Sequence, residues 1–147
     1  MRSSLALLVV MALARTAAAD PPELVVIVNP DNGVKMSAEY LESLFLKKDR
    51  FWEGNAPVIA LNAPPDNPNR REFDRVILGM SPDNAASYWI DLRIRSGAAP
   101  PKEVADPLLA VKLVARLKGA IAYVPAAIAV TGVRVVGRIK RGKWTTP

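Results

Sequence analysis

The sequence predicts an α/β protein, and three observations carry that prediction. Leu24-Val25-Val26-Ile27-Val28 is an unbroken, β-branched run that stops at the turn cluster Asn29-Pro30-Asp31-Asn32-Gly33. This is the pattern of a strand buried on both faces. Asn67-Pro68, Ser81-Pro82 and Asp106-Pro107 each put a capping side chain directly before a proline. Asn, Ser or Asp accepts a free N–H there, and Pro at the first helical position sacrifices no intrahelical bond. Two further strand-like runs, 120–124 and 133–139, follow the last helix. Strands separated by helices favour a mixed, mostly parallel sheet flanked by helices.

The elements follow in order. After the first strand, Ser37 caps a helix over about 38–46, with Leu41, Leu44 and Phe45 on one face. A short strand is expected at 57–61. The helix opened by Asn67-Pro68 carries Phe73, Val76 and Ile77 inward and stops near Gly79. The next, from Ser81-Pro82, presents Ala85, Tyr88, Trp89 and Leu92 and ends near Ser96-Gly97. The helix from Asp106-Pro107 presents Leu109, Leu113, Val114 and Leu117, with Gly119 expected at its C′ position. The order is β-α-β-α-α-α-β-β, one domain over 20–139, followed by an exposed, frayed basic tail over 140–147.

Composition excludes much chemistry. The 147 residues are 50% hydrophobic and 23% charged, which argues against disorder. They include no Cys and no His. Disulfides, Cys or His zinc sites, Ser-His-Asp triads and Cys-His dyads are therefore out of reach. No carboxylate cluster is spaced like a calcium loop, and no Ser-x-x-Lys signature is present. No catalytic residue, metal or cofactor is expected.

The N-terminus reads as an address. Met1-Arg2 begins it, residues 5–14 are apolar, and Ala17-Ala18-Ala19 offers small residues before Asp20. These features describe a secretory signal over 1–19. The run is shorter than the roughly 20 residues of a membrane-spanning helix. Export loses Arg2 and Arg15 and lowers the +6 formal charge by two. A periplasmic location is expected, and with it no nucleic-acid partner.

Several segments, taken in order, resemble one family. They are Leu44-Phe45-Leu46-Lys47-Lys48 with Phe51-Trp52-Glu53-Gly54, then Asn67-Pro68-Asn69-Arg70-Arg71-Glu72-Phe73 and Val76-Ile77-Leu78-Gly79-Met80-Ser81. Tyr88-Trp89, Gly97, Pro100-Pro101 and Gly119-Ala120-Ile121-Ala122-Tyr123-Val124 complete the series. The series resembles phosphate-type periplasmic substrate-binding proteins, in particular short phosphate ABC transporter substrate-binding-like proteins. The resemblance implies a single lobe of the type II periplasmic binding protein-like fold, whose full-length members close two lobes on an oxyanion. It also implies phosphate or another oxyanion as ligand, and a membrane transporter or a sensor as protein partner. The family's Ser-Gly-Thr is replaced here by Asn67-Pro68-Asn69, and Ala63 stands where the family places an Arg.

The candidate oxyanion site is therefore Asn67, Asn69 and Arg70. A helix N-terminus presents free N–H groups and about half a positive charge, which suits an anion. Two amides and a forked guanidinium add donors. The competing reading makes Asn67 a plain cap, with Arg70 and Arg71 as a solvated helix start. Asn29 and Asn32 end the first strand, where ligands also bind, although turn chemistry alone accounts for them. Tyr88 and Trp89 fall on an apolar helix face, whereas Trp52, after the basic cluster Lys47, Lys48 and Arg50, is expected partly exposed. Two functions follow: a non-enzymatic binding module for an oxyanion, or a ligand-free accessory protein that keeps one lobe and docks a partner or forms a homodimer.

Overall fold

The computed structural model describes residues 18–128 and 130–147. The signal expected over 1–19 lies almost wholly outside the described residues. Within them the strands are β1 (Leu24–Val28), β2 (Ile59–Asn62), β3 (Lys102–Glu103), β4 (Ala120–Pro125), β5 (Arg134–Lys140) and β6 (Lys143–Thr145). The helices are α1 (Ala38–Phe45), α2 (Pro68–Phe73), α3 (Pro82–Ser96) and α4 (Pro107–Arg116), with a π-helical turn over Asp74–Leu78.

The strands form one mixed sheet in the order β3-β2-β4-β1-β5-β6. β2 pairs in parallel with β3 and β4, while β1 is antiparallel to both β4 and β5, and β6 is antiparallel to β5. Four strands thus point one way, with β1 and β6 against them. The sequence run of β1 signals burial on both faces but carries no information on direction. All five of its side chains are buried, and they alternate between two cores. Leu24, Val26 and Val28 join Leu41, Leu44, Phe45 and Phe73 beneath α1 and α2. Val25 and Ile27 join Ala110, Val111 and Val114 of α4 on the other face. Each such side chain removed from water contributes about 1.5–3 kcal/mol, so β1 ties both layers together.

The three helix starts match the expected chemistry. Asn67, Ser81 and Asp106 each accept a backbone N–H from their first turn, and Pro follows each cap. Gly79 and Gly97 end their helices in the left-handed conformation.

Four expectations change. The buried stripe of α4 is Ala110, Val111 and Val114, and Leu109 is 46% exposed. Here small side chains let the helix approach the sheet while the leucines flank it. Gly119 is no C′ residue, because Leu117 ends α4 with an extended backbone. A Cβ on Gly119 would lie 2.1 Å from the Pro57 carbonyl oxygen, so close backbone approach is what favours glycine there. Trp52 is buried rather than exposed, donating Nε1–H to the Gly119 carbonyl at 2.9 Å. The segment after Lys140 keeps its charged side chains in solvent, but its backbone pairs. Arg141 and Gly142 both have positive φ, the turn geometry of a two-residue hairpin, and Trp144 packs over Gly137.

Candidate functional site

The C-terminal ends of β2 and β4 lie beside the starts of α2 and α4, and a crevice opens among them. It is lined by Asn62, Asn67, Asn69, Pro107, Tyr123 and neighbouring small residues. Open α/β sheets place ligands at this kind of position. The crevice encloses about 20 Å³, room for one water molecule.

Its polar groups are ordered by local chemistry. Asn67 Oδ1 accepts the Asn69 backbone N–H at 2.8 Å, so the Asn67 carbonyl oxygen is spent on the cap. Tyr123 donates its hydroxyl proton to Asn62 Oδ1 and accepts the Ala63 N–H at 3.1 Å. Its ring stacks on Phe73, 4.1 Å between centroids. Burial pushes the Tyr123 phenol far above its ordinary range, opposed by the Ala63 N–H and the Arg70 charge. The hydroxyl therefore stays protonated and anchors Asn62. Asp106 caps α4 through Leu108 N–H at 2.9 Å, placing a carboxylate at that helix start.

The three candidate residues do not converge. Asn67 and Asn69 line the crevice, but Arg70 lines a different cavity of about 170 Å³, bounded by α2, α3 and the segment before β3. Arg70 is buried, not solvated. It donates Nε–H to Asp74 Oδ2 at 2.8 Å and Nη1–H to the Ala63 carbonyl at 2.9 Å. Burial raises the Asp74 carboxyl pKa, and the Arg70 charge and hydrogen bond pull it back down. Arg71 is exposed and reaches the Asp66 carbonyl at 3.0 Å.

The other sequence candidates are structural. Asn29 is buried and donates Nδ2–H to the carbonyls of Val114 and Ala115, pinning the end of β1 to α4. Asn32 Oδ1 accepts the Val34 N–H within the turn. Tyr88 donates to the Leu46 carbonyl at 2.7 Å, and Trp89 is buried beside it. Lys48 pairs with Glu42 at the surface. Sequence reasoning missed Asn62 and Tyr123, which meet across β2 and β4. The only signal was a polar residue ending one apolar run and a hydroxyl inside another.

With the geometry in place, comparison with solved structures identifies the class of fold. An ABC-type phosphate transport receptor from Vibrio cholerae is matched with a TM-score of 0.61 at 15% identity, over 80% of this chain and 47% of that one. A Clostridium perfringens substrate-binding protein of the phosphate ABC transporter type, solved with bound phosphate, is matched with a TM-score of 0.62 at 14% identity, over 80% and 46%. PstS from Borrelia burgdorferi gives 0.60 at 12% identity, over 80% and 48%. The fold is that of the periplasmic binding proteins, and this chain spans about half the length of the structures it matches. No protein-family model and no curated protein sequence matches the chain.

Proposed function

We propose that the protein is an exported, non-enzymatic solute-binding-like module that takes a phosphate-type oxyanion over the mouth of the crevice between α2 and α4, outside the space that holds one water. The observation that carries this reading is the meeting of two helix starts and two strand ends around Asn62, Asn67 and Asn69. The amide hydrogens of Asn67 and Asn69 serve as direct donors. Arg70 holds the start of α2 from behind through Ala63 and Asp74 and adds a distant positive charge. The likeness to phosphate-binding structures supports the ligand class, and the apolar run at 5–14 supports a periplasmic location.

Thermal denaturation with phosphate and with sulfate tests this. Ligand at 100 times its dissociation constant adds about 2.7 kcal/mol of stability. Asn67→Ser with Asn69→Ala keeps the helix cap and removes both amides, so it should stay folded and lose the ligand-induced shift. No stabilisation of the unmutated protein by either anion at tens of millimolar overturns the oxyanion reading.

A second reading is favoured by the small volume of the crevice and by the Asp106 carboxylate at the start of α4. On it, the chain is an accessory module without a solute, serving a transporter, a sensor or a second copy of itself. Light scattering that shows a dimer, together with flat anion titrations, would select it.

A further inference from the structure

The outer surface of α4 carries a pattern that the fold leaves without a partner. Ala110, Val111 and Val114 pack on the sheet. Outside them run two adjacent rows at the i,i+4 helical spacing. One is Leu109, Leu113 and Leu117, and the other is Leu108, Lys112 and Arg116. Leu113 is half-buried, but Leu108 is 52% exposed, Leu109 46% and Leu117 39%, so half of the exposed large hydrophobic residues of the described surface sit here. Lys112, Arg116 and the following Lys118 are exposed beside them. Among the described residues neither Lys112 nor Arg116 forms a salt bridge, and Lys118 has only a 3.9 Å contact with Asp31. No acidic residue stands between Pro107 and Lys118, and Asp106 before them is occupied in capping the helix through Leu108 N–H.

We propose that this face of α4 docks on an anionic lipid surface, the leucine row entering the headgroup boundary and Lys112, Arg116 and Lys118 meeting lipid phosphates. Helices that lie in the plane of a bilayer combine apolar side chains with Lys and Arg in this way. No described helix is long and apolar enough to cross a membrane, so the contact is peripheral. It needs no bound solute and is independent of the oxyanion reading. A second copy of the chain is disfavoured as the occupant, because two such faces would bring the cations of each together. A protein partner suits the face less well than lipid does. The leucine row is about 12 Å long at 1.5 Å per residue, short against the roughly 800 Å² per side of a stable interface. The face also lacks an aromatic anchor, and lysine is depleted in interface cores. A bilayer requires no matching footprint, because each leucine and each cation adds its own share.

The chain has no Cys, so Leu109→Cys puts a single nitrobenzoxadiazole label on this face, and Ile94→Cys puts one on the exposed face of α3 as a control. Vesicles of phosphatidylcholine with phosphatidylglycerol should move the emission of the label at position 109 to shorter wavelength, saturably, and doxyl-labelled lipid should quench it. The label at position 94 should not respond, and vesicles of phosphatidylcholine alone should bind far more weakly. Reading the label at its own site separates α4 from any contribution of residues 1–19. Adding Lys112→Gln and Arg116→Gln should weaken binding about fivefold for each cation removed, on the order of 25-fold together. No response at position 109, an equal response at position 94, or binding of unchanged strength to neutral vesicles or after the Gln substitutions would each overturn the proposal. A response to soluble polyglutamate with none to vesicles would also overturn it and assign the face to an acidic protein. Asn67→Ser with Asn69→Ala should leave the vesicle response intact; its loss would move the lipid phosphate to the crevice and overturn docking on α4.

Discussion

Replacing Arg70 separates a structural role from a ligand-binding one. Its side chain is 10% exposed and that of Asp74 is 4%, with 2.8 Å between Nε and Oδ2. Arg70→Met fills similar space but leaves the Asp74 carboxylate buried without its counter-charge and the Ala63 carbonyl without its donor. Breaking one side of a buried pair costs about 3–5 kcal/mol, a large share of the roughly 5–15 kcal/mol that holds a domain folded. The double variant Arg70→Met, Asp74→Leu removes both charges. It should recover most of that loss, because a packed apolar pair often equals or exceeds an ion pair in stability. Urea denaturation followed by tryptophan fluorescence reads both. The pH dependence has a definite sign. Folding raises the Asp74 pKa above its ordinary 3.8, so the folded state holds that proton more tightly. Stability therefore falls as pH climbs from about 4 through the raised value. Arg70→Met removes both influences that lower this pKa, so its deficit should shrink as the pH falls towards 4. A loss below about 1 kcal/mol at pH 7, combined with loss of any phosphate-induced shift, would refute the buried-strut account and restore Arg70 as a ligand arm.

Two other outcomes are expected. Tyr123→Phe keeps the stacking on Phe73 but strands Asn62 Oδ1 and the Ala63 N–H; thermal denaturation should show a loss of about 1–3 kcal/mol. Gly119→Ala drives a methyl group into the Pro57 carbonyl oxygen, and that backbone cannot rotate away as a side chain could. It should cost about 1–3 kcal/mol and alter Trp52 fluorescence, because the Gly119 carbonyl is the Trp52 partner.

Local chemistry was legible in the sequence wherever it acts over a few residues. The caps at Asn67, Ser81 and Asp106 and the stops at Gly79 and Gly97 are decided by neighbours in the chain, and the structure places them as expected. The doubly buried β1 was legible because burial on both faces demands an unbroken apolar run. What depends on distant partners was not. A two-residue strand such as β3 has no periodicity to detect, and β6 follows an Arg-Gly turn rather than the usual Asn-Gly signal. The α4 face was misjudged because Ala110 scores low on hydrophobicity although a small residue suits the close sheet contact. In the candidate site, Asn67 and Asn69 were legible as helix-start residues. The fate of Arg70 was not, because an i,i+4 Asp looks the same in sequence whether the pair is solvated or buried.

The outermost strands have a consequence for behaviour in concentrated solution. β3 contributes two residues and β6 three, so each outermost strand offers an incoming chain only a stub. Lys102 and Glu103 sit on one stub and Lys143 on the other, all exposed. A foreign strand would gain few ladder bonds and would have to desolvate charge to make them. The buried, β-branched segment most suited to cross-β stacking, β1, lies inside the sheet between β4 and β5. Fibril growth from the native state therefore requires the sheet to open first.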